Sequence, residues 1–344
     1  MKKTAYIIGI SQPAQGLLTL YKHIASHIIY AYEKGYIPIV DCKHYDNQYF
    51  KDNKTYKDNS WEYFFQQPDD YNLDSLDEFD EIIISDNCDW AGDKYIIYPK
   101  SFIGGKEQNL SDYDKDYFKY LKFKLDLKEK FELAYNEKLQ NKVTLGVLCR
   151  GTDYVKMRPE GHPVQPTAEE MIIKTKEILK KNPEIEQIYL ATEDASVSQK
   201  FYECFGDLIV RNDQYLYKQE DVDILAYVKT NRENHSYNTG VEYLTSLYLL
   251  SKCKYFIAGK NNGTLGVYLL SNLFKNQEYV HIWEKGIYGK QFKYNNFFER
   301  LFSVKHDVFY RRSDKRNYSI KKEVKMITIL GIKIKSTKEQ QIER

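Results

Sequence analysis

The chain has 344 residues, long for a single core, so two domains are the first expectation. With 42% hydrophobic and 29% charged residues it reads as a soluble globular chain, and a net charge of +2 excludes a polycation built to bind nucleic acid. Five cysteines without a C-x-x-C pair argue against a zinc site or a disulfide framework, and they predict a reducing, cytoplasmic setting. The 32 tyrosines suit a sugar-facing surface, because the ring covers apolar C–H faces while the hydroxyl hydrogen-bonds, but composition alone decides nothing.

Residues 1–10 faintly resemble a signal peptide, yet the apolar part is short and Ser11-Gln12-Pro13 interrupts it, which predicts a first strand over 5–10. No run approaches the length that spans a bilayer. Leu17, Leu20, Tyr21, Ile24, Ile28 and Ala31 recur at helical spacing, and Gly35 supplies the stop. Residues 36–41 form the next strand, with Pro38 at its start or on an edge. This β-loop-α-β order opens a Rossmann-like unit, and the missing G-x-G-x-x-G argues against a dinucleotide site. Strands are predicted over 81–85 and 94–98. Asp112, Asp114 and Asp116 lack the glycine and closing glutamate of a calcium loop and read as a solvated acidic turn. A charged helix over 118–140 leads to a domain boundary near Asn141, dividing residues 1–140 from 141–300.

The second half begins with a short apolar run, 143–148, the pattern of a buried strand. It ends abruptly in Arg150-Gly151-Thr152-Asp153. In an open α/β sheet ligands sit beyond the carboxyl ends of strands, so Arg150 emerges where a ligand would be, as a cationic fork suited to phosphate oxygens. Glu160 and His162 follow in the loop closed by Gly161-His162-Pro163. His162 is read either as facing a ligand or as a packed loop residue. Thr167-Ala168-Glu169-Glu170 is a capping box that opens a helix to about Lys181. A strand over 187–192 ends in Glu193-Asp194, and Asp194 suits both an N-cap and an acceptor for a base or ribose. Another short strand over 208–210 extends the β-α-β order, which makes this half a parallel sheet with crossover helices. Asp221-Val222-Asp223 is a formal D-x-D, but no strand leads into it, and a chance match is the better reading. A helix over 241–251, a strand over 254–258, the turn 259–264 and a helix over 265–273 complete the unit. That turn, with Lys260, Asn262, Gly263 and Thr264, presents backbone N–H groups at a helix N-terminus, an anion site in waiting.

In this order the three segments resemble the shared motifs of the fucosyltransferase superfamily, which includes α1,6-, α1,2-, nodulation and protein O-fucosyltransferases. Its first motif, a strand ending in His-x-Arg-x-x-Asp, is matched by Leu148-Cys149-Arg150-Gly151-Thr152-Asp153, and a later His-Pro by His162-Pro163. Its second is matched by residues 188–194 and its third by 244–270. Residues 36–41 with 61–65 are similar to members that build bacterial surface polysaccharide. The resemblance implies an α/β protein of the GT-B kind, with two Rossmann-like domains of parallel sheets and the donor held mainly by the second. It also implies inverting, metal-independent transfer, without a cofactor, from a GDP-sugar, usually GDP-fucose, to a saccharide acceptor.

By position, the resemblance implies that Arg150 holds the diphosphate, with His162 among the donor contacts. Asp194, with Glu193 beside it, would bind the base or ribose, and Thr264 with Asn262 and Gly263 would bind phosphate. Asp153 and Glu160 are the candidate bases, since the base position proposed for one branch falls on Arg158. Leu148 stands where the family has a histidine that contacts guanine, which keeps GDP-mannose or GDP-heptose open as donors. A non-catalytic sugar- or nucleotide-binding module is the reading from a different class.

The remaining segment, 301–344, is a basic extension. Residues 326–332 form an apolar patch between lysines and arginines, too short to span a bilayer. Two readings stay open: a peripheral anchor on an anionic membrane that brings the enzyme to a lipid-linked acceptor, or a β-hairpin that packs back on the body.

Overall fold

The structure, a computed structural model, describes residues 2–13, 15–52, 58–89, 91–92, 120–151, 155–156, 158–218, 228, 230–290, 297–312 and 318–343. Thr4–Gly9 (β1) is buried along its whole length, as a strand apolar on both faces must be. Leu17–Glu33 (α1) follows and stops where Gly35 takes the left-handed φ of +72°. Ile37–Asp41 (β2) and Glu81–Ile84 (β3) flank β1 in parallel, giving the order β2-β1-β3. Pro38 lies in β2, at the edge of this described sheet, where a missing N–H costs no ladder bond.

Leu125–Lys138 (α2) leads to the second sheet, which has five parallel strands. These are Thr144–Leu148 (β4), Gln187–Ala191 (β5), Ile209–Val210 (β6), Tyr255–Gly259 (β7) and Tyr279–Trp283 (β8), in the order β6-β5-β4-β7-β8. Ala168–Lys181 (α3) and Ala195–Phe205 (α4) cross on one face, and His235–Lys252 (α5) and Asn262–Leu270 (α6) on the other. The Thr167–Glu170 capping box forms in both directions: the Thr167 hydroxyl accepts from the Glu170 N–H, and the Glu170 carboxylate accepts from the Thr167 N–H. The α/β class and the two parallel-sheet units expected from the sequence are both present. One continuous apolar core runs from α1 to α5 and α6, joining the two sheets.

Three elements differ from expectation. Helix α5 starts at His235, six residues before the apolar periodicity begins, because its first turns are polar and carry Gly240. A Cβ there would lie 2.6 Å from the ring of Phe64, so the glycine is what lets the aromatic cluster of the first half approach. Helix α6 begins at Asn262, taking Gly263 and Thr264 into its first turn. Strand β8 was not expected, although its aromatic and β-branched residues alternate in burial as a strand's do.

After a short helix, Phe297–Leu301 (α7), the chain ends in an antiparallel sheet of Phe302–Arg312 (β9), Tyr318–Ile329 (β10) and Ile332–Glu343 (β11), in the order β11-β10-β9. The hairpin between β10 and β11 turns at Leu330 and Gly331, both at positive φ. No helix among the described residues is long and apolar enough to cross a membrane. The strand expected over 94–98, the acidic turn at 112–116 and the Asp221-Asp223 pair lie outside the described residues.

Candidate functional site

In the five-stranded sheet the chain moves outward from β4 through β5 to β6, then returns to place β7 and β8 on the other side. The loops that leave β4 and β7 therefore diverge, and the crevice between them is the topological switch point where open α/β sheets bind ligands. The first loop carries Arg150. The second is the turn from Gly259 to Asn262 that starts α6.

Strand register sets the neighbours of Arg150. Leu148 pairs with Ala191 on one side and Ala258 on the other, so two residues further on Arg150 stands level with Glu193. Its Nε lies 3.2 Å from Glu193 Oε1, and the same oxygen accepts the Gly151 N–H at 3.2 Å. Asp194 is fully buried and caps α4, accepting from the N–H groups of Ser196 at 2.8 Å and Val197 at 3.1 Å. Gly151 packs directly on it, and a Cβ at Gly151 would fall 2.3 Å from Asp194 Oδ2. Asp194 thus forms part of the wall that the Arg150 loop rests on. Tyr49, from the first half, and Tyr243, on α5, lie within electrostatic reach of Arg150. Burial raises both phenols above the ordinary tyrosine range, with the Arg150 cation pulling the other way, so both are neutral at physiological pH.

The α6 turn is built from its own residues. Asn261 caps the helix through the Thr264 N–H at 3.1 Å, and the buried Thr264 hydroxyl donates to the Gly259 carbonyl at 2.5 Å. Gly263 sits against Leu148, whose Cδ2 would be 3.1 Å from a Cβ there. Asn262 reaches across to the other sheet: its side-chain amide donates to Thr19 on α1, and its oxygen accepts from Lys22 Nζ at 3.4 Å. The amino-terminal turn of α1, where Leu17 N–H donates to the Tyr49 hydroxyl at 2.7 Å, thereby meets the amino-terminal turn of α6. Two helix N-termini, one from each half, and the Arg150 guanidinium give an electropositive frame suited to an anion.

Glu160 and His162 sit on a loop stapled on both sides. Glu160 N–H donates to the Tyr310 carbonyl of β9 at 2.9 Å, and Gly161 N–H to the Tyr288 carbonyl at 3.0 Å. Arg158, at a φ of +40°, pairs with the buried Asp307 carboxylate at 3.4 Å, which also accepts the Gly289 N–H at 2.8 Å. Glu160 is half-buried against Gly289, and His162 is exposed. Asp153 lies outside the described residues.

Two residues of this region were not singled out from the sequence. Gln165 is buried and ties the β4 loop to the α6 turn, donating to the Lys260 carbonyl at 2.9 Å and accepting from Asn261 at 3.2 Å. Lys22 is buried on α1, and burial lowers its ammonium to about 8. Neither belongs to a local motif. Only an apolar helix face interrupted by a lysine hinted at the second.

No protein-family model matches the chain, and no curated protein matches it either. Among solved structures the chain is similar to the NodZ α-1,6-fucosyltransferase co-crystallised with GDP, at 14% identity over 78% of this chain and 93% of that one, with a TM-score of 0.48; NodZ is a Bradyrhizobium protein. It is also similar to POFUT1 in complex with GDP, at 10% identity over 81% and 98% of the two chains, with a TM-score of 0.44. A third is a variant of Arabidopsis thaliana FUT1 in complex with GDP, at 10% identity over 79% and 69%, with a TM-score of 0.42.

Proposed function

We propose that this chain is a glycosyltransferase of the fucosyltransferase superfamily, transferring fucose from GDP-fucose to a saccharide acceptor of bacterial surface glycan synthesis, with inversion and without a metal. The observation that carries the reading is Arg150, held by Glu193 at the switch point of the five-stranded sheet, opposite the start of α6. A glycosyl transfer must neutralise the charge that grows on the departing diphosphate. A fixed guanidinium with helix N-terminal N–H groups does so without a metal, because the dipoles are already oriented when the charge appears. In this reading Arg150 binds the diphosphate, and Glu193 keeps its fork aimed. Asp194, fully buried beneath Gly151, supports the loop, and contacts to base or ribose fall to the neighbouring Glu193, with His162 at the rim.

Because the Thr264 hydroxyl is already engaged with Gly259, the contribution of α6 falls to the backbone N–H groups of Asn262 and Gly263. Asp153 and Glu160 are the candidates for accepting the acceptor proton, either directly or after the phosphate takes it. The acceptor would reach the site from the side of the first sheet and, in surface-polysaccharide synthesis, is lipid-linked.

One observation favours a second donor. Leu148, in the position of the family's guanine-contacting histidine, is buried against Gly263, so guanine would be read by other groups. GDP-mannose or GDP-heptose therefore remains the second reading. Incubation with GDP-fucose, GDP-mannose, GDP-heptose and UDP-sugars, with release of nucleoside diphosphate measured, separates these. Release from GDP-fucose alone supports the first reading, release from another GDP-sugar the second. Release from UDP-sugars only would overturn both.

A further inference from the structure

The terminal sheet has two unlike faces. Alternation along β9 and β10 directs Asp307, Phe309, Val324 and Thr328 to one side, where all four are buried against the body. That face is the docked one: Phe309 and Val324 pack with Tyr288, and Asp307 holds Arg158 and the Gly289 N–H. The opposite face is turned outward. At the hairpin end it consists of two rows across the three strands, Phe302–Ile329–Ile332 and Val304–Ile327–Ile334, and every member but Ile327 is about half exposed or more. The next row inward is His306–Lys325–Ser336, where the face turns polar and basic.

The turn extends the apolar end. Leu330 is 70% exposed, and Gly331 N–H donates to the Leu301 carbonyl, which ties α7 to the tip. Phe297 and Phe298 of α7 are 68% and 75% exposed beside it. Contiguous apolar surface of this kind marks an interaction site, because isolated exposed side chains are ordinary but stacked rows are not. Its occupant is indicated by charge. Residues 297–344 hold 13 Lys and Arg against 6 Asp and Glu, whereas the preceding 296 residues hold 38 against 43. An apolar tip on a strongly basic segment, carried by an otherwise acidic chain, matches the interface of an anionic bilayer, where apolar groups enter the headgroup region and cations meet lipid phosphates.

We propose that the tip of the terminal sheet, with the α7 phenylalanines, is a peripheral docking surface for an anionic lipid membrane. This surface stands independently of the transferase reading. It also has a direct route to the site: the edge of β9 pairs through Tyr310 with the loop that carries Glu160, and Asp307 on its docked face holds Arg158, so a bilayer engaging the outer face would fix the orientation of that loop's side of the crevice.

The test is co-sedimentation of the full chain with vesicles of phosphatidylcholine alone or with about one third phosphatidylglycerol, at low salt and at about 0.5 M salt. The chain should bind the anionic vesicles, leave them at high salt, and ignore the neutral ones. A Leu330→Asp/Ile332→Asp variant, altered only at exposed positions, should melt like the parent and bind at least about tenfold more weakly. A Lys325→Glu/Lys338→Glu variant, with both changes on the outward face, should lose the salt-sensitive part. Absence of binding by the parent chain, or equal binding by the parent and the aspartate variant, would overturn the proposal. Concentration-dependent self-association that the aspartate variant abolishes, without vesicle binding, would also overturn it and assign the face to a second copy of the chain.

Discussion

Arg150 Nε rests 3.2 Å from Glu193 Oε1 as an ion pair without hydrogen-bond alignment, and that one carboxylate oxygen takes the Gly151 N–H, so a residue at the end of β5 ties down the backbone at the end of β4 and sets a counter-charge beside its side chain. The loop that carries the guanidinium is therefore positioned before any ligand arrives, which lowers the reorganisation a charged group needs to stabilise a transition state.

Replacing Arg150 with alanine should abolish transfer, and lysine should fail too, because a single ammonium cannot reproduce a fork that is held at one edge while binding an anion at another. The loss should fall mainly on kcat, by about 100-fold or more, as for removal of a group that acts on developing charge. Steady-state kinetics of the two variants check this, and a lysine variant with most of the parent activity would remove Arg150 from the chemistry.

The loop should be intolerant at Gly151. Alanine there would drive a Cβ into the Asp194 carboxylate, at 2.3 Å, and Asp194 cannot retreat without losing its two cap bonds to Ser196 and Val197. The expected cost is about 1–3 kcal/mol of stability together with a displaced Arg150. Thermal unfolding and nucleotide binding of Gly151→Ala read the two effects separately. A variant equal to the parent in both would show that the loop does not rest on Asp194.

Lys22 predicts a pH dependence. Burial lowers its folded-state value to about 8, against 10.5 for an exposed lysine. The unfolded chain therefore binds more protons between those limits, and stability rises with pH across that window. Below it, the cost of burying the ammonium is present in full. Relative to a Lys22→Met variant, the parent should gain on the order of 2 kcal/mol between pH 7 and pH 9.5. Denaturant unfolding of both proteins at the two pH values measures it. A parent that loses stability against the variant over this range would show that the ammonium is better solvated or paired than its burial indicates.

Transfer should survive excess EDTA, since a guanidinium and helix N-termini already supply the positive charge that a metal would bring. Activity lost to EDTA and restored by Mg²⁺ or Mn²⁺ would instead make ligands of Asp221 and Asp223.

Four strands of the five-stranded sheet, all but β8, were legible because buried parallel strands write themselves as short apolar runs. Residues 144–148, 187–191 and 255–259 are such runs, and each ends at the polar residues that face the crevice. The Thr167–Glu170 box and the Asp194 cap were legible for a related reason: they are local, closed within three residues. What joins the halves was not. Asn262 to Thr19 and Lys22, and Gly240 against Phe64, are contacts between residues far apart in the chain, and no periodicity records them. The first turns of α5 hid behind polar residues that packing, rather than propensity, holds in a helix. The terminal segment admitted two readings because strand alternation puts its apolar residues on one face. Only the pairing of Ile329 with Phe302 and Ile332 shows that this face is continuous across three strands.

The most direct measurement is calorimetric titration of GDP into the parent chain and into Arg150→Ala, with UDP and NAD as controls. GDP should bind the parent, UDP and NAD should not compete, and the variant should bind GDP at least about tenfold more weakly, the loss of one charge-assisted bidentate contact. Equal GDP affinity in the two proteins, or preference of the parent for UDP or NAD, would contradict this.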